Sequence, residues 1–471
     1  MKMKIKMSVF AAVALTAATA LPVDYRGVVE GYYGRPWGTE GRVSLMEFMG
    51  ERKLNTFIYG PKDDPYHHAK WREPYPAKEA DDFRRLLAVA RKNGINFYWA
   101  VHLGDFKDEY AALFGKLDSM YALGVRAFAV FFDDFGSPDA DFHATIGNRV
   151  IREFLAKKGD CSPLLVCPNV YWGTGHDYQK TLGAKLDASA MILWTGRSIC
   201  SDIRAEDVRK ITEDFRRPPF IWWNWPVNDY CRSKVLLGRL YGLDACVCAG
   251  IVLNPMENCE LNKIAIHSFG EWCRDPRQFD SRKVWEEGFA RIFKDPEVAA
   301  AMRVFASHNS DQGKNCHGYQ REESAEAAEL CRAACAELKK DGKLSAETRK
   351  RLAGLFTDLE DAVRTLVSKL PQENPRMFWE LEGWLLDTQH TAEIGLAALE
   401  ALGNADGRSR QLAVDRLRKA RLAQERDRKA HVAKFAAATF ANDAKRVQPP
   451  RAADREILPT VDALLAALAE K

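Results

Sequence analysis

Two adjacent carboxylates, Asp133 and Asp134, close the apolar run Phe128-Ala129-Val130-Phe131-Phe132 and precede Phe135 and Gly136. Five apolar residues in succession predict a strand buried on both faces. A charge at the exit of such a strand sits against a core, where it needs a partner or a task. Crowding two carboxylates should raise the pKa of one, so that one can hold a proton while its neighbour stays anionic. That combination suits general acid–base work. Spacing alone equally allows a helix N-cap plus a core salt bridge.

The elements that would position the pair recur along the chain. Strand-like runs fall at 27–32, 55–59, 96–102, 127–132, 163–168, 188–194, 219–225 and 246–253. Amphipathic stretches lie between them, at 39–52, 78–93, 109–123, 147–158, 178–186, 205–215, 232–241 and 262–274. Gly94 and Gly124 are placed as helix C-terminal stops. Doubly buried strands alternating with helices imply a parallel sheet, and eight such units in this length predict a (β/α)8 barrel over residues 24–276. An open doubly wound sheet usually carries a glycine-rich phosphate turn after its first strand, and Gly31-Tyr32-Tyr33-Gly34 lacks that form. Residues 277–471 change character. Periodic apolar positions and dense charge predict helices at 286–293, 296–305, 324–341, 346–369, 375–402 and 407–440, a bundle packed on the barrel.

Composition bounds the partners. The formal net charge is +4 over 471 residues, and Lys2, Lys4 and Lys6 supply three of those charges. Nothing here suggests a nucleic-acid surface. The same lysines precede an apolar run from Met7 to Leu15, followed by Ala18-Thr19-Ala20. Residues 1–20 thus read as a secretory signal peptide, predicting an exported, periplasmic or secreted protein without stable membrane insertion. All eleven cysteines fall from Cys161 onward. They show no disulfide framework and no CxxC spacing, so mostly buried thiols are expected.

Barrel active sites form at the C-terminal ends of the strands. In order, the exits present Glu30, Gly31 and Tyr33; Lys62, Asp63 and Asp64; His102; Asp133 and Asp134; Asn169 and Tyr171; Thr195; Trp222, Asn224 and Asp229; then Asn254, Glu257 and Asn258. Carboxylates and amides that fork onto hydroxyls, with an aromatic platform, suit sugar recognition. Four aspartates at two exits could instead hold Mg or Ca, although His102 has no partner at HxH or HExxH spacing. For a glycosidase the adjacency is restrictive. Two opposed carboxylates usually stand about 5–9.5 Å apart, whereas neighbouring Cα atoms are about 3.8 Å apart. A 2-acetamido sugar resolves the conflict, because its own carbonyl oxygen can attack the anomeric carbon. Asp133 would accept the amide N–H and Asp134 would serve as acid, then base.

The stretches Gly27-Val28-Val29-Glu30-Gly31-Tyr32-Tyr33-Gly34-Arg35-Pro36-Trp37, Tyr59-Gly60-Pro61-Lys62-Asp63-Asp64 and Phe131-Phe132-Asp133-Asp134 resemble glycoside hydrolase family 84. That family contains bacterial β-N-acetylglucosaminidases and the eukaryotic protein O-GlcNAcases. Trp194-Thr195-Gly196, Trp222-Trp223-Asn224 with Asp229, and Asn254-Pro255 extend the likeness, as do His308-Asn309-Ser310-Asp311 and Gly318-Tyr319-Gln320-Arg321. The resemblance implies a retaining exo-β-N-acetylglucosaminidase that uses no metal or organic cofactor. Its substrate would be a glycan or glycoprotein with terminal β-GlcNAc.

The resemblance also implies roles. Asp133 orients the acetamido group and Asp134 is the acid/base. Tyr171 steadies the oxazoline and Asn224 binds the acetamido region. Trp222 and Thr195 wall the N-acyl methyl. Lys62, Asp229, Asn254 and the backbone of Gly31 bind ring hydroxyls. A GlcNAc-binding protein without turnover is the alternative, but it would not need Asp134. Relatives can dimerise through helical regions, and 375–402 is apolar enough for a homodimer or for burial against the barrel. One departure stands out: Val101-His102-Leu103-Gly104 has Leu103 where relatives commonly carry proline.

Overall fold

The computed structural model describes residues 23–134, 136–404, 406–437 and 446–469. The expected signal peptide lies outside the described residues, as does the end of the helix expected at 407–440. Eight parallel strands close into a barrel in sequence order: β1 Tyr25–Glu30, β2 Thr56–Tyr59, β3 Asn96–His102, β4 Ala127–Phe131, β5 Leu165–Cys167, β6 Met191–Trp194, β7 Phe220–Pro226 and β8 Gly250–Asn254. β1 pairs with β8, with Tyr25 opposite Gly250 and Val28 opposite Leu253.

The continuous apolar runs have a physical cause, since alternate residues serve two cores. Val29, Ile58, Tyr98, Ala100, Phe131, Leu193, Trp222 and Val252 fill the barrel interior. Their neighbours Val28, Phe57, Trp99, Val130, Ile221 and Leu253 face the surrounding helices. The helices end where glycine allows a left-handed turn: Gly94 has φ +67° and Gly124 has φ +110°. The outer core continues without a break into Trp285, Phe289, Leu366, Leu381 and Trp384 of the later helices. A second core, around Leu352, Phe356, Ala398 and Leu464, belongs to the helical region alone. That region contains Ser281–Ile292, Pro296–Ser307, Ala328–Asp341, Ala346–Glu373, Pro375–Gly403, Gly407–Ala437 and Ile457–Ala469. Among the described residues no helix is long and apolar enough to cross a membrane.

Three expectations are corrected. The helix expected at 232–241 does not form; the segment runs irregularly with Val235, Leu236, Leu237 and Leu240 buried. Its backbone groups are bound by distant partners. The Leu237 N–H donates to the Asn309 carbonyl at 2.9 Å and the Leu236 N–H to Met256 Sδ at 3.1 Å. The Leu237 carbonyl accepts from Trp285 Nε1 at 2.8 Å. With those groups satisfied by tertiary contacts, nothing is left for an i→i−4 ladder to supply. Second, Cys246 and Cys248 precede β8, which starts only at Gly250. Third, the helix expected at 147–158 starts earlier, at Ala140, capped by Asp139 accepting from the Phe142 N–H. It passes through a π-helical stretch, Val150–Leu155. All eleven cysteines are free thiols, with Cys316 the exposed one.

Candidate active site

The strand exits converge on a cavity of about 620 Å³. All ten candidate residues line it: Gly31, Lys62, Asp133, Asp134, Tyr171, Thr195, Trp222, Asn224, Asp229 and Asn254. Glu30, Asp63, Asp64, His102, Asn169, Glu257 and Asn258, also named at the exits, do not. They act behind the wall. Asp64 Oδ2 accepts from Tyr59 and Tyr75, Glu257 holds the Arg35 N–H, and Asn169 Nδ2 donates to the Phe132 carbonyl at 3.0 Å.

Asp133 is 4 % exposed and fixed from two sides. Lys62 Nζ is bonded to its Oδ2, while the backbone carbonyl receives His102 Nε2 at 2.6 Å. The Gly104 N–H donates to His102 Nδ1 at 3.3 Å, which assigns the ring proton to Nε2. Burial pushes the His102 pKa down, keeping the ring neutral. The second oxygen, Asp133 Oδ1, is buried without a hydrogen-bond partner among the described residues, and His102 Nε2 lies 3.6 Å from it. Burial opposes the charge on Asp133, but the Lys62 ammonium outweighs it and holds the carboxyl below the usual range.

Asp134 has a different setting. Its backbone is left-handed at φ +64°, a strained state for a residue with a Cβ. Its side chain is 29 % exposed, so it faces the cavity. Oδ1 accepts from the Tyr171 hydroxyl and Oδ2 from the Tyr33 hydroxyl, each at 2.8 Å. Lys62 Nζ stands 3.5 Å from Oδ2, so one ammonium bridges both aspartates. Lys62 was expected on ring hydroxyls; here its side chain, 4 % exposed, is engaged by the carboxylates.

The opposite wall is an amide and indole network. Asn224 Oδ1 accepts from Trp222 Nε1 and from Asn254 Nδ2, both at 2.9 Å, and its Nδ2 donates to the Ile199 carbonyl at 2.7 Å. The indole is thereby locked in its plane. Gly31 permits the fit, because a Cβ there would stand 2.3 Å from Trp222 Cζ2. Asp229 Oδ2 accepts the Tyr33 N–H at 2.9 Å, and Arg232 Nη2 donates to the Tyr33 carbonyl at 2.7 Å. These bonds clamp the β1 exit onto the β7 exit. Burial pushes the Asp229 carboxyl up, against the Tyr33 N–H. The Thr195 N–H donates to the Tyr171 carbonyl at 2.9 Å and sets the phenol in place. On the rim, the Leu103 N–H extends the β3–β4 ladder by donating to the Phe131 carbonyl at 2.9 Å, a bond proline could not make.

Sequence reasoning named Tyr33 at an exit without giving it a role. It missed His317, Arg446 and Gln448, which line the cavity from outside the barrel. These are polar residues in no periodic pattern, so the sequence offered no signal for them. Among the described residues no group of three or more His, Cys, Asp or Glu is arranged to hold a metal.

Comparison with known proteins agrees with this architecture. The sequence pattern of a family described as beta-N-acetylglucosaminidase matches residues 26–307. The Rattus norvegicus protein O-GlcNAcase is 33 % identical over 269 residues, covering 52 % of this chain and 29 % of that protein. The match therefore spans under a third of that relative's length. The solved structure of CpGH84D superposes with a TM-score of 0.83 at 26 % identity, covering 96 % of this chain and 76 % of that one. A Thermobaculum terrenum O-GlcNAc hydrolase mutant shares the fold, with a TM-score of 0.76 at 23 % identity and 95 % of each chain covered. With the family pattern running from β1 through the barrel into the first bundle helices, the chain belongs to the β-N-acetylglucosaminidases of glycoside hydrolase family 84.

Proposed function

We propose that the protein is a retaining exo-β-N-acetylglucosaminidase that removes terminal β-linked GlcNAc from glycans or glycoproteins by substrate-assisted catalysis. The observation that carries this reading is the unequal setting of the two adjacent aspartates. Asp133 is a buried anion with an acceptor oxygen left open. Asp134 is a partly exposed carboxyl on the cavity wall.

An acetamide N–H donates to Asp133 Oδ1. The negative charge there stabilises the positive charge that grows on the amide nitrogen as its carbonyl oxygen attacks C1. The bond from C1 to the leaving oxygen breaks, and Asp134 gives that oxygen its proton. The product is an oxazoline, whose ring oxygen is the former amide oxygen. Tyr171 turns its hydroxyl from Asp134 to that oxygen. Asp134, now ionised, takes a proton from water as the water adds to C1 from the leaving-group face and the C1–O bond of the oxazoline breaks to restore the acetamide, so the β configuration returns. Trp222 and Thr195 enclose the acyl methyl. Asn224 holds the indole and binds the acetamido region. Asp229, Asn254 and the Gly31 backbone take the ring hydroxyls, while Lys62 holds the two carboxylates.

The leader-like residues 1–20 support export, which would present the enzyme with extracellular glycans.

The test is turnover of 4-methylumbelliferyl β-GlcNAc beside the matching β-GalNAc and β-glucose compounds, with EDTA present. Strong hydrolysis of β-GlcNAc and none of β-glucose is expected. Hydrolysis of β-glucose at a similar rate would remove the acetamide from the mechanism. Binding of GlcNAc without turnover would favour a lectin-like role.

A further inference from the structure

The helix Gly407–Ala437 turns one face inward and leaves the other uncovered. Ala413, Leu417, Ala420, Gln424, His431 and Phe435 are its buried residues. They lie along the helix Pro375–Gly403. Gln424 Nε2 donates to Thr391 Oγ1 at 3.1 Å, and the His431 ring stands 4.8 Å from that of Trp384. Arg428 pairs with the buried Asp387 at 2.6 Å beside this seam.

At 3.6 residues per turn, the side opposite the seam carries Arg408, Arg418, Lys419, Arg426 and Lys429, all exposed. Asp415 lies on the same stripe and Glu425 at its edge. Five cations against two acids leave 5 − 2 = +3 on one stripe, whereas the whole chain carries +4. The pairing within the stripe is thin. Arg418 reaches Asp415 at 3.8 Å and Arg426 pairs with Asp427 at 2.8 Å. Arg408, Lys419 and Lys429 form no ion pair or side-chain hydrogen bond among the described residues. Arg426 and Lys429 stand three residues apart, where like charges repel. Amid these cations sits Leu422, 68 % exposed, the most exposed large apolar side chain among the described residues. Leu412, at 57 %, lies at the margin of the stripe.

We propose that this face docks reversibly on a bilayer containing anionic phospholipid, with Leu422 entering the headgroup layer between the cations. Both features of the stripe point there. A second copy related by a two-fold axis would set cation against cation. A soluble polyanion would engage the cations but offers Leu422 nothing apolar to enter. An anionic bilayer takes the charges at its surface and the leucine beneath it. The stripe is straight, running about 30 Å from Arg408 to Lys429 at the helical rise, and so suits a flat surface. None of its residues lines the catalytic cavity, and the proposal stands apart from the hydrolase reading.

It is tested by flotation with vesicles of phosphatidylcholine alone and of phosphatidylcholine with phosphatidylglycerol. Residues 1–20 are removed, because Lys2, Lys4, Lys6 and the apolar run behind them would bind lipid themselves; every element described lies beyond them. The protein should float with the phosphatidylglycerol vesicles only, and added salt should release it. Replacing both lysines, Lys419→Gln with Lys429→Gln, should lower the partition coefficient about tenfold to thirtyfold. Leu422→Ser should lower it about fivefold while leaving retention on dextran sulfate unchanged. An unaltered melting temperature shows that the variants fold. No flotation at low salt, or flotation indifferent to the lysine substitutions, overturns the proposal. Equal flotation of Leu422→Ser and wild type, with retention of both on dextran sulfate, makes the face a polyanion site and overturns it as well. If a variant fails to fold, wild-type binding that ignores phosphatidylglycerol or salt overturns it alone.

Discussion

Glu30 and Asp133 both lie at the ends of barrel strands, both are buried, and both pair with a cation, yet their surroundings differ in one respect. The Glu30 carboxylate is saturated. Arg42 forks onto it at 2.7 and 2.9 Å, and the Trp37 N–H adds a third bond at 2.9 Å. Asp133 has Lys62 on one oxygen and an open acceptor on the other. The first arrangement ties the β1 exit to the helix Thr39–Glu51 and closes on itself. The second keeps a charged acceptor in a cavity, a cost in stability that a structural ion pair has no reason to bear. Saturation thus separates a carboxylate that holds the fold from one that is ready for a ligand.

Substitutions should divide along that line. Asp133→Asn and Asp134→Asn are expected to lower kcat by about 10²–10⁴-fold on natural-type leaving groups. Asp134→Asn should spare activated aryl glycosides, which need little protonation, whereas Asp133→Asn should damage both. Equal, mild losses from both changes would erase the distinction between the pair. Glu30→Gln should act on stability instead. Leaving Arg42 buried without its anion costs about 3–5 kcal/mol, read by chemical denaturation, with a much smaller loss of kcat in the folded fraction. A Glu30 variant as inactive as the aspartate variants would contradict the comparison.

Gly31→Ala should be milder and sits between the two cases. The new Cβ would meet Trp222, a side chain locked by Asn224. An overpacking cost of about 1–3 kcal/mol should appear mainly as a raised KM, because the indole must shift into the sugar's space. A changed melting temperature with KM unaltered would place Trp222 in the core only.

Much of this was legible in the sequence because a barrel strand is an unusually clear signal. Its residues serve two cores, so the run is apolar throughout and the first polar residue marks the exit. Reading those exits in order brought eleven residues to one cavity, Tyr33 among them. What the exits could not show was which polar groups turn inward. Glu30 and Gly31 are neighbours in sequence, but Glu30 goes to Arg42 and Gly31 goes to the site. The pattern also failed where tertiary bonds replaced local ones. Val235, Leu236, Leu237 and Leu240 look helical, yet the backbone partners of Leu236 and Leu237 lie on Met256, Asn309 and Trp285. His317, Arg446 and Gln448 reach the cavity through the fold of the later helices, a long-range relation that no local spacing encodes.

The central claim is that the substrate's own acetamide is the nucleophile, poised by Asp133. It is tested most directly with aryl β-GlcNAc analogues whose N-acyl group carries none, one, two or three fluorines. Fluorine withdraws electrons from the attacking carbonyl oxygen and changes little else. A steep monotonic fall in kcat/KM is expected, about 10²-fold or more across the series, with the slope flattened in Asp133→Asn. A rate indifferent to fluorination would mean that an enzyme carboxylate, or water, attacks the anomeric carbon.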